Sequence, residues 1–162
     1  MDAKSKWSYI AGFFDGEGSI ITFSKPRVTA EITNTDYSIL HWMQKQTGLG
    51  KIYKAHEQKR HSILGGHEPA WRYNIYRQAE VIKFLTRIYP YMKIKKSLAK
   101  LAIQFLTMRT SDLPTGRDKR NKTFAHNVTE PEREVFQRMR NMNASRSGHA
   151  RASRNYFQVP RE

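Results

Sequence analysis

The sequence predicts an α+β fold in which helices cover one face of an antiparallel sheet and a helical extension follows at the C-terminus. Two observations carry this. Segments with the period-2 alternation of half-buried strands come in two pairs, and each pair is followed by a segment with helical spacing, giving the order helix, two strands, helix, two strands, helix, helix.

The first helix carries Trp7, Ile10, Ala11, Phe13 and Phe14, with Ser5 or Ser8 as its cap. It must stop in the Gly16-Glu17-Gly18 stretch, where glycine readily takes the left-handed conformation. Ile20 to Ser24 and Val28 to Thr33 read as two strands joined near Pro26, which would break a central ladder. Lys25, Arg27, Thr29, Glu31 and Thr33 alternate there with Val28, Ala30 and Ile32, the mark of one wet face.

In "DYSILHWMQKQTGLG", Asp36 is the expected cap, Ile39, Leu40, Met43 and Trp42 form the apolar face, and Gly48 is the stop. "GKIYKAH" and "AWRYNIY" form the second strand pair, with Trp71, Tyr73 and Ile75 alternating with Arg72, Asn74 and Tyr76. "AEVIKFLTRIY" is a helix ended before Pro90, and "IKKSLAKLAIQFLTM" an amphipathic helix with Leu98, Leu101, Ala102 and Phe105 at helical spacing. The composition changes at Arg109, so residues 1–108 read as the core and 109–162 as a basic extension with one short separate helix. That helix opens on a Thr129/Glu132 capping box. The arginine-rich tail is either a phosphate-seeking arm or a solubilising terminus.

With 162 residues there is room for one domain and its extensions. A formal charge of +15 calls for a polyanionic partner, and nucleic acid is the expected one. The basic residues are spread over strands, loops and helices, which argues against a membrane-surface helix. No cysteine is present, so disulfides, cysteine-based zinc sites and thiol nucleophiles are excluded. His56, His61 and His67 lack a second ligand cluster and read as polar loop residues. "MDAKSKWS" leaves no room for a targeting peptide ahead of the first helix. The expected location is the cytoplasm of a prokaryote or archaeon, or an organelle that encodes the chain.

The stretch "YIAGFFDGEGSI" raises the functional question. Gly12 and Gly16 share a helical face beside Ala11, so another helix can approach closely; the face suits either a second copy or the chain's own sheet. Glu17 stands at a helix C-terminus, where the dipole disfavours a carboxylate unless a cation answers it. Two paired copies would bring two Glu17 carboxylates together, and Mg²⁺ or Mn²⁺ suits a site of few carboxylates, carbonyls, waters and phosphates. Asp15, inside the last turn, either braces the helix pair or supplies a rival ligand.

"YIAGFFDGEG" resembles the LAGLIDADG motif of homing endonucleases, and "FLTRIYPYMKIKKSLAKLAI" resembles a further family segment. The resemblance spans roughly residues 7 to 108. It implies an αββαββα fold with a saddle-shaped sheet and a homodimer joined through Ala11, Gly12, Asp15 and Gly16. It also implies divalent metal held by Glu17 with the Gly16 carbonyl beside it, Lys95 reaching toward the reacting phosphate, and Asn34 holding water. The activity it implies is site-specific double-strand hydrolysis across the minor groove, leaving short 3′ overhangs and serving intron or intein mobility. An RNA splicing maturase, with intron RNA as partner, or a non-cleaving nucleic-acid-binding protein is the alternative on the same fold.

A wet sheet face rich in Lys, Arg, Asn and Tyr can lie along the DNA major groove, where every base pair shows a distinct edge. Lys25, Arg27, Glu31, Tyr53, Arg72 and Asn74 are the candidate readers, with Arg27 and Arg72 suited to guanine and Asn74 to adenine. Lys59 and Arg60 extend the reach to flanking DNA. A homodimer would read a long, roughly palindromic site.

Overall fold

The computed structural model describes residues 2–23, 26–55, 70–111 and 128–146. Helix α1 (Ala3–Glu17) leads into strands β1 (Gly18–Thr22) and β2 (Val28–Asn34). Then come α2 (Tyr37–Thr47), β3 (Lys51–Lys54), β4 (Trp71–Ile75) and α3 (Gln78–Ile88). A 3₁₀ turn over Tyr89–Tyr91 connects to α4 (Lys96–Ser111), and α5 (Glu130–Arg146) ends the described chain. The strands form one antiparallel sheet in the order β1-β2-β4-β3.

The alternation in the strands becomes two faces. Ile20, Val28, Ala30, Ile32, Tyr73 and Ile75 are buried on the inward side, against Phe14 of α1 and Val81, Phe84, Leu85 and Ile88 of α3. Phe14 and Phe84 meet edge to face at 5.3 Å, and each such ring contributes roughly 1.5–3 kcal/mol by leaving water. Tyr73 is buried among them because its hydroxyl is satisfied: it lies 2.6 Å from Thr47 Oγ1 and donates to the Leu49 carbonyl at 3.0 Å. Burial raises the Tyr73 phenol to about 12.

Local capping agrees with the sequence in α2. Asp36 accepts from the amides of Ser38 and Ile39, and Gly48 closes the helix with a φ of 66°. The start of α1 differs from expectation: Asp2, not Ser5 or Ser8, is the cap, accepting from Ser5 N at 2.6 Å. Its end differs too. Gly18 is extended (φ −83°, ψ 165°), so the helix runs straight into β1 without a left-handed residue. Glycine is needed there for space, since a Cβ at Gly18 would lie 2.3 Å from the Phe14 ring.

Thr29 was expected on the wet face, yet it is buried, paired across the ladder with Ile21 on the same side. The outward face is therefore apolar near the β1–β2 turn and polar farther along. Past the composition change at Arg109, α4 continues to Ser111, and α5 adds Val135, Phe136 and Met139 to the same hydrophobic core. Glu132 caps α5 by accepting from Thr129 N at 2.7 Å, and its other oxygen lies 3.9 Å from Arg109 of α4. Asn143 of α5 donates to the Ile20 carbonyl at 3.0 Å, covering part of the β1 edge. The extension helix is thus a structural layer of the core.

Candidate active site and nucleic-acid interface

The motif helix has two unlike faces. Ile10, Ala11, Phe14 and Asp15 are buried, while Tyr9, Gly12, Gly16 and Glu17 are exposed. Among the described residues, a Cβ built on Gly12 or Gly16 meets nothing within 4 Å, so the described sheet does not use the glycine face. That resolves one of the two readings of the glycine spacing. Two members of the expected interface set are placed inside the single chain. Ala11 points into the core with no exposure, and Asp15 is engaged by its own chain.

Asp15 binds the segment that starts α4. Its carboxylate accepts from the amides of Lys93 (2.5 Å), Ile94 (3.1 Å) and Lys95 (3.0 Å). Burial alone would raise this carboxyl, but the three amides and the Lys95 charge hold it below the usual carboxylate range. Within the single chain Asp15 braces α1 against the residues that lead into α4.

Lys95 answers the negative end of α1. Its Nζ donates to the backbone carbonyl of Asp15, one of the carbonyls a helix end leaves without an internal partner. The residue lies immediately before α4. Glu17, two residues beyond that carbonyl, is exposed, and its side chain forms no hydrogen bond or ion pair among the described residues. A groove of about 470 Å³ beside β1 is lined by Ser19, Thr22, Lys95 and Asn143, among others. Asn143 carried no signal in the sequence beyond being an amide near the end of a capped helix.

Asn34 ends β2, two residues past the Gly18↔Ile32 pair that closes the β1–β2 ladder. Its Oδ1 accepts from Asp36 N at 2.9 Å, so this oxygen forms the turn into α2. Among the described residues no three His, Cys, Asp or Glu side chains gather in a way that could hold a metal ion. One chain offers Glu17 and nearby carbonyls. Such a donor set fits Mg²⁺, which takes one or two carboxylates and fills its shell with waters and substrate phosphates.

On the outward sheet face the register sets Arg72 opposite Thr33 and Tyr53, and Asn74 opposite Glu31 and Lys51. Glu31, Tyr53, Arg72 and Asn74 therefore share one face. They are not four independent groups: Arg72 Nε lies 3.1 Å from Glu31 Oε1, and Asn74 Nδ2 donates to Glu31 Oε2 at 3.1 Å. Asn74 Oδ1 is buried without a partner, so the two-pronged adenine edge expected of this amide is not presented. Arg27 is exposed with its guanidinium 4.1 Å from the Phe23 ring centre. Lys25, Lys59, Arg60 and the three loop histidines lie outside the described residues.

Comparison with known proteins agrees with this architecture. The model of a LAGLIDADG-like domain matches residues 5–89, just over half of the chain. No curated protein sequence matches at a significant level. Among solved structures, the homing endonuclease I-CvuI in complex with a DNA target superposes with a TM-score of 0.53 at 18% identity, covering 84% of this chain and 95% of that one. The archaeal intron-encoded homing endonuclease I-Vdi141I, complexed with DNA, gives 0.51 at 16% identity over 88% of this chain and 99% of that one. The homing endonuclease I-SmaMI, bound to cleaved DNA, gives 0.57 at 16% identity over 96% of this chain and 51% of its own length. At such identities the shared property is the fold. With β1 through α3 and most of α1 inside the matched span, the chain belongs to the LAGLIDADG-like domain family and has the fold of the homing endonucleases.

Proposed function

We propose that this chain is a site-specific double-strand DNA endonuclease of the homing type, acting as a homodimer with Mg²⁺ or Mn²⁺ and serving intron or intein mobility. The observation that carries the proposal is Glu17: an exposed carboxylate without an ion-pair partner among the described residues, at the negative end of a helix whose outer glycine face is open. Two copies joined through Gly12 and Gly16 would set two such carboxylates side by side.

When bound, the divalent ion would supply charge neutralisation at the scissile phosphate, with Glu17 and the Gly16 carbonyl as its protein ligands. Lys95 adds fixed positive charge at the end of α1, anchored by the Asp15 carbonyl. The outward sheet face supplies recognition. Strand β2 has seven residues, which at about 3.3 Å each span roughly 23 Å, or about seven base pairs. The +15 charge supplies affinity for phosphate backbone and makes it salt-dependent. Names of the structural neighbours, which describe DNA complexes, support the same choice of partner.

The test is cleavage of DNA from an intronless allele in Mg²⁺. Wild type is expected to cut both strands, and Glu17→Gln to bind the same DNA while cutting at least about 100-fold more slowly. Undiminished cutting by Glu17→Gln refutes the assignment of the site. Wild-type protein that leaves the DNA intact yet binds intron RNA returns the fold to the maturase alternative.

A further inference from the structure

We infer that Glu31 and Asn74 do not read bases themselves but aim Arg72, so that this part of the sheet reads a single guanine. The inference rests on the DNA-endonuclease reading and gives the specificity surface an internal order.

The geometry is one hydrogen bond and one ion pair that meet on the Glu31 carboxylate across two strands. Asn74 Nδ2 donates to Glu31 Oε2, and Glu31 Oε1 forms an ion pair with Arg72 Nε, each at 3.1 Å. Both carboxylate oxygens are therefore engaged, and the Glu31 side chain is only 13% exposed, against 47% for Arg72. The carboxylate grips Arg72 at Nε, which leaves the two terminal nitrogens as a pair of parallel donors. That pair matches the O6 and N7 acceptors of guanine in the major groove. A free arginine would lose several rotamers on binding, whereas one held at Nε has lost most of them beforehand.

Asn74 completes the device. Its Oδ1 is buried without a partner, so the amide turns its useful end toward Glu31 and offers no acceptor to solvent. It opposes Glu31 directly in the β2–β4 ladder, which makes the contact a consequence of register. Tyr53, opposite Arg72 on the other side, remains exposed and outside this chain of contacts.

The experiment is enrichment of a randomised duplex library by the full chain, followed by sequencing, for wild type, Arg72→Ala, Glu31→Ala, Glu31→Gln and Asn74→Ala. Arg72→Ala should erase a guanine preference at one base pair of each half-site. Glu31→Ala and Asn74→Ala should weaken the preference at that same base pair by about tenfold and alter no other position. Glu31→Gln, which retains one acceptor, should fall between. In the Arg72→Ala background, Glu31→Ala should have no further effect on preference. Binding to non-cognate DNA should hold or rise in Glu31→Ala, because a negative charge has left the surface, and a misfolded variant would instead lose both.

Two results overturn the inference while leaving the endonuclease reading intact. One is that Glu31→Ala or Asn74→Ala changes a different base pair from the one Arg72 reads; the other is that the Arg72 preference survives both substitutions. Wild-type protein that enriches no sequence at all removes the endonuclease reading, and this inference with it.

Discussion

Replacing Gly12 by alanine separates folding from association, because the two respond with opposite sign. Among the described residues a Cβ at position 12 meets nothing within 4 Å, so the added methyl group clashes with none of them. Alanine in a helix interior is better than glycine by about 0.8–1.0 kcal/mol, and the isolated chain should gain stability of that order. In a two-fold pair of α1 helices the same methyl group would stand between the backbones. Overpacking costs about 1–3 kcal/mol per site, and two-fold symmetry places the site twice in the interface, giving roughly 2–6 kcal/mol in total. That weakens the dimer by about 30-fold at the least. Sedimentation equilibrium over a range of concentrations reads the association, and denaturant unfolding at concentrations where monomer prevails reads the folding. Gly18→Ala is the contrast: its Cβ would fall 2.3 Å from Phe14, so it should destabilise the chain at every concentration by about 1–3 kcal/mol. If Gly12→Ala and the bulkier Gly12→Leu both associate as wild type does, the glycine face is not the subunit interface.

Asp15→Asn removes a charged acceptor from three backbone amides and should cost about 2 kcal/mol at neutral pH, measured by denaturant unfolding. Because the Asp15 carboxyl is held below its unfolded value of about 3.9, its contribution is present above that pH and is lost as pH falls through the folded value. The stability gap between wild type and Asp15→Asn should therefore close on acidification; a gap unchanged down to pH ~3 contradicts the assigned role. Tyr73→Phe leaves Thr47 Oγ1 and the Leu49 carbonyl without their shared partner, for a loss of about 1–3 kcal/mol in the same assay. No loss would mean that these groups find other partners.

What the sequence showed follows from which interactions are local. Asp36 and Gly48 bound α2 through contacts within three or four residues, and both were legible. Strand faces were legible for the same reason, since alternation is set by the backbone, and Arg72 and Asn74 do face away from the buried Tyr73 and Ile75. The cap of α1 was not, because serine and aspartate are both good caps and several stand near the start. Pairing of β2 with β4 was beyond reach as well. It joins segments some 40 residues apart, and only that register brings Asn74 and Arg72 to Glu31 and turns three separate candidates into a connected set. Thr29 shows the limit of the pattern itself: alternation says which side a residue faces, not whether that side is wet.

The two acids of "FFDGEG" divide their labour by helix geometry. Residues two apart are separated by about 200° around the axis, so a helix that buries Asp15 must expose Glu17. Burial is affordable for Asp15 only because the start of α4 brings three amides to it, and the same contact delivers Lys95 to the end of α1. The inner acid therefore fixes the cation, and the outer acid is left free of partners within the described chain. Exchanging the pair, Asp15→Glu with Glu17→Asp, keeps both charges yet puts the longer side chain where the amides allow no extra methylene. The exchange should lower stability by about 1–3 kcal/mol through overpacking, whereas Glu17→Asp alone should leave stability unchanged. Equal stability of the exchanged chain and wild type would show that Asp15 is not held as tightly as its hydrogen bonds require.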